Sequence, residues 1–127
     1  MLKKILILED EKELAKLYGK LLKNHGYEVT IAFDGLEGLE KLHQVEPDLI
    51  IMDVSMPKMS GVGFYQNICG SDGKPMYPIL VVTGRMDLET TFKDLPIDGI
   101  ILKPFEREDL LKEIKSIFAH KTAIPAI

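Results

Sequence analysis

Five short apolar runs, each followed by residues at helical spacing, constrain this chain more than any other feature. The runs lie at residues 5–8, 27–32, 49–52, 79–82 and 99–102. After the first, Leu14, Leu17, Tyr18, Leu21 and Leu22 recur at the i, i+3, i+4 interval of an amphipathic helix, and Gly26 supplies its stop. After the second, Asp34 and Glu37 are spaced as a capping box for a helix whose apolar face is Leu36, Leu39, Leu42 and Val45. Pro47 keeps that helix from continuing. The third run leads to a short helix over 61–69 and a turn-rich loop over 70–78, and the fourth to a weaker helix around 88–93. The fifth leads to a helix over 107–119 with Leu110, Leu111, Ile114, Ile117 and Phe118 on its apolar face. Residues 1–120 are expected to form one domain, and residues 121–127 a tail without periodicity.

Strands that alternate with helices form parallel βαβ units, whose crossovers are right-handed and whose sheet is covered on both faces. Burial on both faces explains why the runs are unbroken rather than alternating with polar residues. In an open sheet of this kind ligands sit beyond the carboxyl ends of the strands, where the strand order reverses. The chemistry is therefore expected at the strand ends.

The bulk properties remove several function classes. A chain of 127 residues can bury roughly two thirds of its unfolded surface in one core without disulfides or a structural metal. A net charge of −4, with no basic cluster beyond Lys3 and Lys4, argues against direct nucleic-acid binding. The apolar run at 5–8 is too short for a signal peptide and no segment is long enough to span a membrane. The lone Cys69 fits a reducing compartment, and a cytoplasmic location is expected. His25, His43 and His120 share no zinc-ligand spacing, and Gly73 and Lys74 lack the rest of a P-loop.

The strand ends, in order, carry Glu9, Asp10 and Glu11, then nothing reactive at Ala32 and Phe33, then Asp53, Thr83 and Lys103. If the first and third strands are neighbours about 5 Å apart, Glu9, Asp10 and Asp53 converge. Two unit charges 4 Å apart repel by about 4 kcal/mol at an effective dielectric near 20, so positive charge must sit among them. Oxygen-only ligands suit magnesium, which keeps waters and shares its shell with phosphate. Lys103 offers a second cation, and the Thr83 hydroxyl can donate to an anion on Asp53. Aspartate can act as a nucleophile toward phosphorus, so the pattern points to Asp53 as a phosphoacceptor. Taken singly each residue is ordinary: Asp53 a turn or cap aspartate, Glu9 to Glu11 acids favouring a helix dipole, and Lys103 a solvated lysine. The combination carries the assignment.

The pieces "LILEDE", "LIIMDVSMPKMSG", "VVTG" and "LKPF" together resemble the receiver domain of two-component response regulators, of the chemotaxis-regulator type, over about residues 3–120. The resemblance implies a flavodoxin-like, doubly wound α/β fold with a five-stranded parallel sheet in the order 2-1-3-4-5. It implies that Asp53 takes a phosphoryl group from a histidine kinase or phosphotransfer protein. It also implies that Glu9, Asp10, Asp53 and the Ser55 carbonyl hold Mg2+, and that Thr83 and Lys103 bind the phosphoryl oxygens. The bond before Pro104 would be cis. Such a domain is no enzyme toward other substrates, and catalyses only its own phosphorylation and dephosphorylation. It controls an effector through a face made of the fourth helix, the fifth strand and the last helix, and can dimerise on phosphorylation.

Two features depart from the usual pattern, the residue at the switch position and the spacing from Thr83 to Lys103. Ile100 stands at the switch position, three residues before the lysine, where Tyr or Phe is usual. Ser55 and Arg85, two beyond Asp53 and Thr83, sit where the family tunes phosphoryl lifetime. Lys103 comes only twenty positions after Thr83, with Pro96 between them, which favours a short or irregular fourth helix. A pseudo-receiver that binds partners without switching is the alternative reading. A haloacid-dehalogenase-like phosphatase is less favoured, because that class wants a second aspartate where Ser55 stands.

Overall fold

The computed structural model describes residues 2–54, 59, 61–84 and 95–123. Its elements in chain order are β1 (Lys4–Leu8), α1 (Lys12–Asn24), β2 (Glu28–Ala32), α2 (Gly35–Val45), β3 (Leu49–Asp53), α3 (Gly61–Asn67), β4 (Ile79–Thr83), β5 (Gly99–Leu102) and α4 (Arg107–Ala123). The helix expected around residues 88–93 lies outside the described residues. The five strands form one sheet in the order β2-β1-β3-β4-β5, every neighbouring pair parallel. This is the expected doubly wound α/β arrangement.

Two apolar layers cover the sheet, and residue parity divides the strands between them. Ile5 and Ile7, Leu49 and Ile51, and Leu80 and Val82 pack with Leu22 of α1 and Leu110, Ile114 and Ile117 of α4. Leu6 and Leu8, Ile50 and Met52, and Ile79 and Val81 pack with Leu42 of α2 and Phe64 and Tyr65 of α3. Successive strand residues point to opposite faces, so each central strand feeds both layers and reads as an unbroken apolar run. β1, β3 and β4 are accordingly almost wholly buried, whereas the edge strands β2 and β5 are largely half-exposed.

The helix ends follow the turn chemistry in the chain. Asp34 caps α2 by accepting from the Glu37 amide at 2.8 Å. The Glu37 carboxylate reaches back to the amide of Phe33 at 2.6 Å, one residue beyond the N-cap. α2 closes on Glu46 in the left-handed conformation (φ 50°), because Pro47 bars the residue before it from continuing a helix. Gly26 takes φ 90° after α1, as its place at the helix stop predicts. α4 runs on to Ala123 rather than ending near residue 119, since nothing in Lys121, Thr122 or Ala123 breaks a helix and the next proline is Pro125.

Two aspartates set strand register at the end opposite the acidic pocket. Asp48 accepts from the Lys4 amide at 2.8 Å and returns its own amide to the Lys4 carbonyl at 2.7 Å, pinning β3 to β1. Asp98 does the same for Ile79, at 3.0 and 2.8 Å, pinning β5 to β4. Each occupies the position just before its strand and satisfies an amide the ladder would otherwise leave open.

Candidate functional site

Register explains why the strand-end residues meet. Leu8 pairs with Met52, so Glu9 and Asp53 stand side by side one step further on, and Asp53 itself pairs with Val82. Glu9 and Asp53 continue the rows Ile5, Ile7 and Leu49, Ile51, which face the layer of α1 and α4. Lys103 continues the row of Ile101 on the same face, held in place by its amide on the Thr83 carbonyl at 2.8 Å. Thr83 and Ile100 have the opposite parity, and Ile100 packs on the layer of α2 and α3.

Glu9, Asp10 and Asp53 each offer a carboxylate oxygen within 4.8 Å of the others'. Glu9 is 3% exposed and Asp53 9%, while Asp10 faces solvent. The Lys103 ammonium lies 3.0 Å from Glu9 Oε1 and 4.0 Å from Asp53 Oδ2. The other Glu9 oxygen accepts from the Glu11 amide at 3.2 Å, where Glu11 serves as the N-cap residue of α1. Burial pushes the Glu9 carboxyl up to about 7, helped by the Asp53 charge and opposed by the bond from Lys103. Desolvation therefore outweighs the ion pair and the Glu11 amide bond together, as it does when a carboxylate leaves water without full compensation. The Tyr18 hydroxyl, behind the pocket on α1, is pushed up to about 12 by burial and by the charges of Glu9 and Asp53, so it stays protonated.

The expected site residues are thus distributed as follows. The pocket joins Glu9, Asp10, Asp53 and Lys103, and Thr83 ends the neighbouring strand, 1% exposed. The Lys103–Pro104 bond is cis. Ser55 and Arg85 lie outside the described residues. The direct Lys103 to Glu9 bond and the place of Tyr18 beside the pocket were not foreseen. The bond joins residues 94 positions apart, and Tyr18 reads in sequence as one more member of an apolar helix stripe.

Gly61, the glycine of "MPKMSG", has a role that the structure makes explicit. Its amide donates to the Val54 carbonyl at 2.8 Å, and an added Cβ would lie 2.7 Å from Val54 Cα and 2.8 Å from the Asp53 carbonyl oxygen. These neighbours are backbone and cannot swing away. Gly61→Ala is expected to cost about 2 kcal/mol of stability, read from the urea midpoint, because the end of β3 or the start of α3 must shift. As that backbone carries Asp53, the same variant should lose reactivity at Asp53.

An open parallel sheet with a triad of carboxylates, one lysine and a buried threonine at its strand ends defines a class of small α/β domains built around a strand-end aspartate. Residues 5–115 match the family model described as "Response regulator receiver domain", and the chain belongs to that family. It is 32% identical over 117 residues to the chemotaxis protein CheY of Treponema pallidum, covering 90% of this chain and 81% of that one. It is 34% identical over 119 residues to the Bacillus subtilis alkaline phosphatase synthesis transcriptional regulatory protein PhoP, covering 92% of this chain and 49% of that protein. A match of 33% identity to hybrid signal transduction histidine kinase D of Dictyostelium discoideum covers 94% of this chain but 8% of that protein. The chain therefore spans half or less of several curated relatives. Among solved structures, the chemotaxis response regulator CheY4 of Vibrio cholerae superposes with a TM-score of 0.82 at 31% identity, over 92% of this chain and 99% of that one. Among the described residues, no helix is long and apolar enough to cross a membrane.

Proposed function

We propose that Asp53 accepts a phosphoryl group from a phosphohistidine of a kinase or phosphotransfer protein, and that the aspartyl phosphate switches the domain's hold on an effector. One observation carries the reading. The two buried carboxylates and Asp10 each bring an oxygen within 4.8 Å of the others', and Lys103 stands 4.0 Å from the carboxylate that would react. In the transfer, an Asp53 oxygen forms the new bond to phosphorus as the bond from phosphorus to the histidine nitrogen breaks, and that nitrogen keeps the electron pair. The charge on the transferred group then lies beside the Lys103 ammonium.

The oxygen-only donor set of Glu9, Asp10 and Asp53 fits a hard divalent cation, with the Ser55 carbonyl as a fourth donor implied by the family pattern. Mg2+ bound there would offset the carboxylate charges and those of the incoming phosphoryl oxygens. Glu9 and Asp53 must be deprotonated to hold it. Thr83, ending the strand next to Asp53, would donate its hydroxyl to a phosphoryl oxygen. Ile100, on β5, shares the Thr83 face of the sheet and packs on the α2 and α3 layer, while α4 packs on the opposite face. The proposed effector face is that of the helix expected around residues 88–93, β5 and α4, and phosphorylation-dependent dimerisation would use it as well. The protein is read as a cytoplasmic switch without turnover of an external substrate.

The test is intact-mass analysis after incubation with acetyl phosphate and magnesium. One phosphoryl adduct, located on Asp53 by peptide mapping, is the expected result. Absence of any adduct would leave a partner-binding module without a switch, and multiple turnover of an external phosphate ester would favour a phosphatase.

A further inference from the structure

The described residues contain two aromatic pairs, and both clasp the side of the molecule where α1 and α4 share a layer. Tyr27 and Phe118 lie 5.8 Å apart at 35°. Tyr18 of α1 and Phe105 lie 5.8 Å apart in a stacked arrangement at 23°. Phe105 is two residues beyond Lys103 and immediately precedes the turn into α4, where the Glu106 amide donates to Asp109 Oδ2 at 3.1 Å. Lys103, Pro104, Phe105 and Tyr18 also line one face of a groove of about 720 Å³ between α1 and α4, with Leu17 beside them, 63% exposed.

The Tyr18 ring is therefore the floor on which the segment carrying Lys103 rests. On one side α1 begins straight after the acids Glu9 and Asp10; on the other, the loop holding the pocket's cation is fixed by Phe105. Among the described residues, Lys103 is secured at its ends: its amide bonds to the Thr83 carbonyl, and its ammonium contacts Glu9 and Asp53 across a 26% exposed side chain. Its long stem is flexible, and a lysine loses considerable rotamer freedom when it is held in one geometry. We infer that Tyr18 is a positioning residue, which through its stack on Phe105 aims Lys103 at Asp53 and so sets the rate of phosphoryl transfer. This rests on the reading of Asp53 as the phosphoacceptor.

The experiment compares Tyr18→Leu, Tyr18→Phe and Tyr27→Leu, each with Lys103 intact and with Lys103→Ala, in the rate of Asp53 modification by acetyl phosphate at saturating magnesium. Tyr18→Leu should slow modification about tenfold, since misplacing a reacting group by a fraction of an ångström has effects of this size. Tyr18→Phe, which keeps the ring, should match the parent. Tyr27→Leu removes the other aromatic pair and controls for loosened packing, so it should leave the rate unchanged. In the Lys103→Ala background Tyr18→Leu should have no further effect, because the two changes act through one side chain. Equal slowing by Tyr27→Leu, or a full loss on top of Lys103→Ala, would reduce Tyr18 to a packing residue.

Labelling of lysines by an N-hydroxysuccinimide ester, followed by mass spectrometry, gives a second readout that needs no phosphorylation. Relative to Lys41, the reactivity of Lys103 should rise in Tyr18→Leu and stay unchanged in Tyr27→Leu. If the parent takes no phosphoryl group, the proposed function fails with the rate effect, while this labelling still decides whether Tyr18 positions Lys103. Unchanged Lys103 reactivity in Tyr18→Leu would overturn it.

Discussion

Replacing Asp53 with asparagine is expected to abolish the phosphoryl adduct and at the same time to make the metal-free protein more stable. The amide keeps the shape of the side chain but has no anionic oxygen to attack phosphorus, so intact-mass spectra should show no transfer from acetyl phosphate at any magnesium concentration. The gain in stability follows from the charges around it. Asp53 is 9% exposed, lies within 4.8 Å of carboxylate oxygens on both Glu9 and Asp10, and has the Lys103 ammonium at 4.0 Å. The repulsion from the Glu9 and Asp10 carboxylates at this range favours removing the charge, and a gain of about 1 kcal/mol in urea unfolding is expected after screening through the exposed Asp10 side. A variant that loses the adduct and also unfolds more easily would show instead that Asp53 is held in place as a structural partner of Lys103.

Glu9→Gln should separate stability from metal binding in the same way, with pH as the diagnostic. In the folded chain the Glu9 carboxyl titrates near 7, raised from 4.5 first by burial and then by the Asp53 charge against the pull of Lys103. Between those values the folded state binds more protons than the unfolded one. Stability of the metal-free protein therefore falls as pH rises from about 4.5 to about 7 and levels off above that range. Glu9→Gln should flatten this part of the profile and be about 2 kcal/mol more stable than the parent at pH 8. Magnesium reverses the balance, because binding must displace the Glu9 proton: parent affinity should fall about tenfold for each pH unit below about 7. Glu9→Gln should bind magnesium more weakly and without that slope. Calorimetric titrations at pH 6 and pH 8 would decide the matter, and a parent affinity independent of pH would show that Glu9 is not a ligand.

Both variants illustrate one trade-off. The clustered carboxylates cost the metal-free fold stability, and the same charges are what would hold a cation and an anionic adduct under the proposed function. An apolar replacement of the trio would suit folding and leave no chemistry.

The strands and most of the helices were legible because their causes are local. Unbroken apolar runs could only be strands buried on both faces, and Asp34 with Glu37, Gly26 and Pro47 marked helix ends by their own backbone chemistry. The carboxyl-end rule for parallel sheets then brings Glu9, Asp10, Asp53 and Lys103 to one rim. What escaped was long-range or depended on context. Asp48 and Asp98 look like loop residues in sequence, yet each clamps a neighbouring strand. Glu46 takes a left-handed conformation that its residue type gives no reason to expect. Tyr18 reads as one of five apolar positions on a helix, and only the path of the Phe105 loop gives it a distinct partner.

The sequence by itself determined the order of elements, the face on which each strand residue falls and the set of charged groups at the rim, since period, parity and turn chemistry are properties of neighbouring residues. Only the tertiary structure decided that Lys103 rests on Glu9 across 94 positions, that Glu9 rather than Asp10 is sealed from water, and that an aromatic stack braces the lysine's loop. Desolvation and contact depend on everything that packs around a group, and no local spacing encodes that.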